Sequence, residues 1–583
     1  MAPSHLRVVL GLIGFTAITA QIVLMRELML VFYGNEISLG VMLASWLLWT
    51  AIGSSFLGRL AGRAKDVGRM MAGLQLLLAL TFPVTILAVR AGRIIFRAAP
   101  GEILGPGPMF LTCLAALSCF CAVSGCLFAV GSQLYAREAS SPSSTATGSV
   151  YLLEAAGSAL GGILASLVLI RFFNSMEIAL QVSLLNLLAA MSLAIRTTSY
   201  RRALTAILVA GFVLVPYGGR RLETLSLAQI WPGFRLVATR NSVYGNLTVV
   251  ENQSIRSLFE NSLLMFNAPD PAAAEEAVHF ALLEQPAPKS LLLIGGGASG
   301  SLIQALQHPS LERVDYVELD PAILGVAQQY FPEQWEAART DRRVQVHSTD
   351  GRLFLKTTRQ TFDVILVDLP EPQTAQLNRF YTLEFFQEAA ERLNPAGIVS
   401  FQLHAAEEYI SPELGAFLRC INRTLRQAFP VVTAIPGETA HFFAAKQAGV
   451  LTADPQELLA RLRSRHLQTK YVREYYIPFR MMPDRMTDLD REIGPRPDTP
   501  INRDFAPMAY YFDVALWGTQ FNQAYRRIFQ SIAQVKLGWL AAGLGGIVLV
   551  IGVILRWLPR PAARNQASAG FCIATAGLTL IGL

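Results

Sequence analysis

The sequence predicts a multi-domain chain: an α-helical transmembrane bundle followed by an α/β domain with a small β-sheet at its amino-terminal side. Three observations carry this. Of 583 residues, 52% are hydrophobic and only 16% charged, against about 25% charged in a typical soluble protein, and the deficit is concentrated before residue 220. Six apolar stretches in that part have the roughly 20-residue length that crosses a bilayer. From residue 290 onward, short strand-like and helix-like segments alternate instead, the pattern of a mostly parallel sheet covered on both faces.

The apolar stretches lie near 8–33, 38–58, 70–89, 109–135, 149–170 and 175–195, with a shorter one near 203–217. The first is not a cleaved signal peptide, because its apolar character runs past any plausible cleavage site. In the fifth, Gly157, Gly161 and Gly162 predict close helix packing. Arg26, Glu27 and Glu154 are costly in lipid and are expected to face the bundle interior or water. They fit either an internal ion pair and a helix end at the interface, or a transport or substrate-entry path. Arg59, Arg63, Lys65 and Arg69 mark the loop after the second stretch as cytoplasmic. Six spans then leave the following domain inside and seven place it outside. Arg90, Arg93 and Arg97 in the next loop weaken the rule. The expectation taken is a multi-pass protein of the cell membrane with its soluble domain on the cytoplasmic side.

Boundaries are expected at 1–219 for the helical part, 220–267 for the small sheet and 268–450 for the α/β domain. A carboxyl-terminal extension of the soluble part should cover 451–530, and 531–583 should hold one or more further spans, beginning near 537–555. The stretch 569–583 is apolar, stops abruptly and loosely echoes 10–24, so the natural product is expected to continue beyond Leu583. The net charge of +7 fits the Lys and Arg excess of cytoplasmic loops, and without a basic run interleaved with aromatics no nucleic-acid partner is expected. Cys113, Cys119, Cys121 and Cys126 share one apolar stretch as small fillers. With no CxxC pair and no His/Cys ligand spacing, neither disulfides nor a metal is expected.

In the soluble part, 234–267 alternates apolar and polar residues with turn signals at Gly245 and Glu260-Asn261, which predicts a small antiparallel sheet. A helix follows at 275–283. Strands are expected at 290–294, 313–319, 343–347, 362–368, 397–403, 431–435 and 441–445, with helices at 299–307, 321–330, 382–393 and 413–428. Ligands of such sheets bind at the carboxyl ends of the strands. The motifs fall there. "LLLIGGGASG" fits GxGxxG through Gly295, Gly297 and Gly300, where glycine lets the backbone approach a ligand closely. Alone this is compatible with NAD, FAD or an S-adenosyl compound. Glu318 ends the second strand, where a carboxylate can accept both ribose hydroxyl protons. Asp350 and Gly351 follow the third strand, where an acid can meet an adenine amino group, although an Asp-Gly pair alone reads as a turn. Asp368 ends the fourth strand, with Glu371 close behind and Pro370 and Pro372 stiffening the turn.

Over roughly 235–445 the order of these motifs resembles the spermidine synthases, aminopropyltransferases that use decarboxylated S-adenosylmethionine. "LLLIGGGASG" resembles their GGGDGG loop, "VDYVELDP" carries Glu318 at the ribose position, and "TDG" carries Asp350 at the adenine position. "VDLPEP" followed by "RFYTLEFF" is similar to their catalytic-loop pattern. The resemblance implies a Rossmann-like S-adenosylmethionine-dependent transferase domain. It places Asp368 as general base, Glu371 as amine-binding acid and Tyr381 as the aromatic beside them. "EEAVHFALL" puts Glu275, as a substrate contact, and His279, as a cofactor contact, on the family's helix before the glycine loop. Membrane-fused members with this domain after about seven spans are similar in layout. The tail "PINRDFAPMAYYFDVALWGTQF" (500–521) looks like theirs, without an assigned chemistry.

The sequence departs from the family at the reacting end. The family's Asp after three glycines is Ala298, the Gln of its "YQ" is Gly245, its "DG" is Glu260-Asn261, the following Gln is Met265, and the Tyr before the helix His is Val278. An Asp at 298 would hold the aminopropyl ammonium and repel a carboxylate, so with Ala298 facing that group, rejection of intact S-adenosylmethionine should be weak. Three functions stay open. The first is a membrane-anchored aminopropyltransferase that moves an aminopropyl group from decarboxylated S-adenosylmethionine to an amine such as putrescine, in polyamine biosynthesis. The second is a methyl- or aminocarboxypropyltransferase of intact S-adenosylmethionine. The third is a non-catalytic nucleoside-binding module that regulates a transporter-like bundle. A dinucleotide dehydrogenase is disfavoured, because nothing else resembles a nicotinamide site. The partners expected are a lipid bilayer and a small-molecule amine, with a homodimer left open.

Overall fold

The computed structural model describes residues 3–32, 36–61, 64–102, 104–139, 143–194, 211, 215, 217–519 and 537–557. The expected stretches near 203–217 and at 569–583 lie mostly or wholly outside them. The chain forms two compact units, one of Met1–Thr248, Glu260–Leu263 and Val535–Leu583, the other of Val249–Phe259 and Leu264–Gln534.

Among the described residues the first unit holds six helices long and apolar enough to cross a membrane: Ser4–Phe32, Glu36–Ala61, Val67–Ile95, Pro106–Ala139, Thr145–Phe172 and Ser175–Leu193. They match the six expected stretches, and Leu537–Trp557 is a further helix. The first and fifth helices meet backbone to backbone. A Cβ at Gly157 would lie 1.8 Å from the Gly11 carbonyl oxygen, and one at Gly14 1.9 Å from that of Glu154. Gly162, expected to share this role, has only a side-chain atom of Ile18 at 4.0 Å, so it does not set the approach.

Of the charges expected to face the interior, Glu27 does so in an ion pair. Glu27 accepts from Arg90 Nε and Nη2 at 2.7 and 2.9 Å, and Arg90 also reaches Glu223 at 2.8 Å and Ser226 at 2.6 Å. Arg26 donates to the Ser242 carbonyl at 2.8 Å. Arg93 is buried and donates to the Val31, Ala99 and Glu102 carbonyls. Arg90 and Arg93 are therefore helix residues spent on internal partners. The expectation that they are loop charges is corrected: the helix runs on to Ile95. Breaking such a buried pair by removing one partner strands a charge and is strongly destabilising.

Four strands follow, β1 (Arg235–Asn241), β2 (Asn246–Asn252), β3 (Ile255–Glu260) and β4 (Leu263–Ala268), paired in the order β1-β2-β3-β4. Asn261 and Ser262, both at positive φ, make the tight β3–β4 turn that Glu260-Asn261 signalled.

The second unit is built on a seven-stranded sheet of β5 (Ser290–Ile294), β6 (Arg313–Glu318), β7 (Val344–Ser348), β8 (Phe362–Val367), β9 (Leu393–His404), β10 (Val431–Ile435) and β11 (Thr439–Ala445), in the order β10-β11-β9-β8-β5-β6-β7. The pairs within β5–β9 are parallel, while β11 pairs antiparallel with β9 and β10. The run of Leu and Ile in β5 is fully buried, as a central parallel strand covered on both faces must be. The chain leaves β5 toward β6 on one side and returns to β8 on the other. That reversal opens a crevice at the carboxyl ends of β5 and β8, where ligands of such sheets bind. Three helices were not expected: Pro332–Thr340, Gly351–Thr357 and Ala375–Asn378.

The extension after β11 packs back on the unit through the helices Pro455–Ser464, Tyr476–Arg480, Pro483–Ile493 and Met508–Thr519. Its last part is pinned by Asn502, which is fully buried. Asn502 N donates to Thr424 Oγ1 at 2.8 Å, and its Nδ2 donates to Asn378 Oδ1 at 3.0 Å and the Tyr381 carbonyl at 2.9 Å. Its Oδ1 accepts from Ala509 N at 3.1 Å. Replacing Asn502 by Ala removes its three side-chain hydrogen bonds, to Asn378, the Tyr381 carbonyl and Ala509 N, and should weaken docking of the tail by about 2–4 kcal/mol. Limited proteolysis of the full-length variant should then cut within 500–519 at least about tenfold faster than wild type; equal cleavage rates would contradict this anchoring.

Candidate active site

The site is assembled where β5, β6 and β8 end. β5 stops at Ile294, and the glycine loop turns with Gly295, Gly296 and Gly300 all at positive φ, a backbone region that other residues enter only with strain. Gly296 meets Asp368 directly: a Cβ there would lie 1.8 Å from Asp368 Oδ2. Asp368 N donates to the Ile294 carbonyl at 2.9 Å, which carries the β5–β8 ladder one residue past the end of β8. Ser301, immediately after the loop, donates its hydroxyl to Asp368 Oδ2 at 2.7 Å. Burial pushes the half-buried Asp368 carboxyl above the usual aspartate range, and the Ser301 hydrogen bond pulls it back in part.

On the β6 side, Gly297 lets the Tyr316 ring pack against the loop, since a Cβ there would lie 2.5 Å from that ring. Tyr316 OH donates to Glu318 Oε2 at 2.9 Å, and Asp320 N donates to Glu318 Oε1 at 3.2 Å. Burial raises the Glu318 carboxyl above its ordinary range, with those two donors opposing. Asp368, Gly296, Gly297, Tyr316 and Glu318 are thus one contiguous surface along the glycine loop.

The loop after β8 is braced by Tyr381, which is fully buried and donates to the Leu369 carbonyl at 3.2 Å and the Pro370 carbonyl at 3.0 Å. Burial raises its phenol, and the charges of Glu371 and Asp368 raise it further, so Tyr381 stands close to both acids. Glu371 accepts from His404 N at 2.5 Å; burial raises its carboxyl and this donor lowers it. Burial thus raises three carboxyls, Glu318 after β6 and Asp368 and Glu371 after β8, the strands on either side of β5.

Other expected residues are placed differently. Asp350 caps Gly351–Thr357 by accepting from Leu353 N at 2.8 Å, and it pairs with Arg379. Gly351 sits where a Cβ would lie 2.6 Å from Ile294 Cγ2, so it belongs to the packing under β5. Glu275 is buried and accepts from Lys470 N, Tyr471 N and Val472 N at 2.8–3.0 Å. His279, also buried, contacts His308 at 3.0 Å and Gln304 at 3.1 Å. Both side chains have protein partners, His279 in the core and Glu275 on the extension. Ala298 is 3% exposed, and the helices Pro321–Tyr330 and Pro332–Thr340 pack against its turn.

Tyr316, Ser301 and Arg379 were missed by sequence reasoning. Tyr316 lies two residues before Glu318 and so shares its strand face, Ser301 directly follows the last loop glycine, and Arg379 opens the segment that carries Tyr381. Each was within reach of the motif boundaries.

The contact between Gly296 and Asp368 is testable against a control in the same unit. Gly296 (φ +67°) and Gly449 (φ +81°) have similar backbones, but nothing lies within 4 Å of a Cβ at Gly449. Both Ala variants should suffer backbone strain of roughly 1–3 kcal/mol, and Gly296→Ala should lose more, by about 1 kcal/mol or above, as Asp368 is displaced. Denaturant unfolding of the full-length variants gives the difference; equal losses would remove the contact from the site.

Residues 271–444 match the family model of the spermine/spermidine synthase domain. The polyamine aminopropyltransferase of Oceanobacillus iheyensis is 28% identical over 272 residues, 44% of this chain and 52% of that protein. That of Leptospira biflexa is 31% identical over 170 residues, 29% of this chain and 60% of that protein. The chain thus spans about half to three fifths of the length of these curated relatives. The crystal structure of spermidine synthase from Thermotoga maritima superposes with a TM-score of 0.38 at 20% identity, over 45% of this chain and 88% of that one. The residues similar to the spermine/spermidine synthase domain, 271–444, are those of the α/β unit that gathers Asp368, Glu318 and the glycine loop.

Proposed function

We propose that this chain is a membrane-anchored aminopropyltransferase acting in polyamine biosynthesis, with decarboxylated S-adenosylmethionine as donor and a small amine as acceptor. One observation carries the reading. Asp368 stands at the switch point of the sheet, pressed against Gly296, with Ser301 as its side-chain partner and its basicity raised by burial. A carboxylate so placed can take a proton from an ammonium that must become a nucleophile.

The amine nitrogen attacks the methylene carbon next to the sulfonium. The carbon–sulfur bond breaks, the electron pair stays on sulfur, methylthioadenosine leaves, and the proton released from nitrogen passes to Asp368. Glu371 steers the cationic acceptor, while Tyr381 fixes the loop that carries both acids. Glu318 takes the ribose hydroxyls. Asp350 takes the adenine amino group, since each of its oxygens keeps a lone pair beside the Leu353 amide and Arg379. Positioning and electrostatics supply the rest of the acceleration.

The six apolar helices support a membrane anchor. With six spans before the domain, its side is that of Arg59, Lys65 and Arg69, hence cytoplasmic, and Arg90 and Arg93 no longer argue otherwise. Ala298 also favours a second reading, transfer from intact S-adenosylmethionine, because the acid that would repel its carboxylate is absent there. The products decide: methylthioadenosine for aminopropyl transfer, adenosylhomocysteine for methyl transfer. With the decarboxylated donor and putrescine, wild type should release methylthioadenosine. Asp368→Asn should bind that nucleoside as wild type does and turn over about two to four orders of magnitude more slowly. Activity within a few-fold of wild type would remove Asp368 from the mechanism.

A further inference from the structure

The tail from Pro500 onward lies outside the matched span 271–444, yet its residues 502–504 bond to two segments of the site. Leu383 N donates to the Asn502 carbonyl at 2.9 Å, and Asp504 N donates to Glu384 Oε2 at 3.1 Å. The Asp504 carboxylate reaches further. Its Oδ1 accepts from Arg352 Nη1 and from Thr382 Oγ1, both at 2.8 Å, and its Oδ2 accepts from Arg352 Nη2 at 2.8 Å. Arg352 directly follows Asp350-Gly351, and Thr382 directly follows Tyr381. One acid of the tail therefore joins the turn after β7 to the segment that braces the loop after β8.

Arg352 is 7% exposed. A guanidinium carries five N–H donors in a fixed plane, and each has an acceptor here. Glu388 takes one from Nε at 2.8 Å and one from Nη2 at 2.7 Å, Asp504 takes one from each Nη, and the Arg379 carbonyl takes the last from Nη1 at 3.3 Å. A fork filled in this way has one orientation, and removing one acid partner of a buried cation removes that constraint. The Arg379 side chain pairs with Asp350, the acid placed at the adenine. The bonds form an unbroken path from Asp504 through Arg352 and Arg379 to Asp350. Of the two acids on Arg352, Glu388 lies within the matched span and Asp504 outside it.

We propose that Asp504 is a positioning residue for the nucleobase: by holding Arg352 and Thr382 together it fixes the Asp350–Arg379 pair, and so sharpens selection of adenine over a base with a carbonyl in place of the amino group. This rests on the aminopropyltransferase reading above, which puts Asp350 at the adenine. An Asp350 oxygen held at an amino group accepts its proton. Against a carbonyl oxygen the same carboxylate meets a second acceptor and no donor. The discrimination requires the acid to be held still, because a mobile carboxylate can turn away from the carbonyl.

The test uses full-length protein in detergent and calorimetric titration with methylthioadenosine and with methylthioinosine, whose base carries that carbonyl. Wild type should prefer methylthioadenosine at least about tenfold, and Asp504→Asn should cut this ratio at least about fivefold. The control is Arg503→Gln, which removes the neighbouring tail contact with Glu384 at 3.4 Å and leaves Asp504 in place; it should keep the wild-type ratio. An unchanged ratio in Asp504→Asn overturns the proposal. So does an equal loss of both affinities or of all nucleoside binding in that variant, or an Arg503→Gln ratio that falls as far, since each marks the tail as a general support of the fold. Wild type that binds both nucleosides equally also overturns it while leaving the nucleoside site standing. Wild type that binds neither overturns the parent reading, and this one falls with it.

Discussion

The α/β unit depends on one close approach, that of the Gly296 backbone to the Asp368 carboxylate. Both lie just past the ends of adjacent parallel strands, at the point where the chain order reverses. A side chain at 296 would occupy the space of the carboxylate, so glycine there is a condition for an acid at the end of β8. The same loop turns back over Tyr316, and Tyr316 in turn holds Glu318. The strands bring these three ends together at one edge of the sheet. Burial then keeps the acids weakly solvated, which raises their basicity and their attraction for a sulfonium or an ammonium.

Most of this architecture was legible in the sequence. The β5 and β6 strands, the helix at 321–330 and the helix at 413–428 emerge within a residue or two of their expected limits, because strong apolar runs ended by Gly, Pro or acid caps leave little freedom. The helices at 332–340 and 351–357 were not legible. The first is short and polar, and the second opens on an Asp-Gly pair that reads equally as a turn. The side-chain partners were harder still. Glu275 and His279 lie on the helix where the resemblance puts them, but the residues that claim them, 470–472 and His308, come from elsewhere in the chain. No local pattern predicts such long-range hydrogen bonds. Ala298 is a similar case: its identity was plain, while its burial depends on a helix that was not expected.

The extension repeats the lesson at larger scale. Its sequence carried no recognisable chemistry, and its meaning comes from where Asn502 anchors it. A fully buried asparagine that satisfies four backbone and side-chain groups is worth far more to position than to composition. In the helical unit, likewise, the charges that seemed to blur the topology resolve once Arg90 is seen with Glu27 and Glu223. A buried cation needs partners, and these two acids supply them.

The central claim is that the carboxyl edge of β5, β6 and β8 is an adenosyl sulfonium site. The most direct measurement is calorimetric binding of decarboxylated S-adenosylmethionine to the full-length protein and to its Glu318→Gln variant. The account predicts saturable binding by wild type, and a loss of at least about tenfold in Glu318→Gln, because the amide cannot accept both ribose hydroxyl protons and the Tyr316 bond as the carboxylate does. Equal affinities for the two proteins, or no binding by wild type, would contradict it.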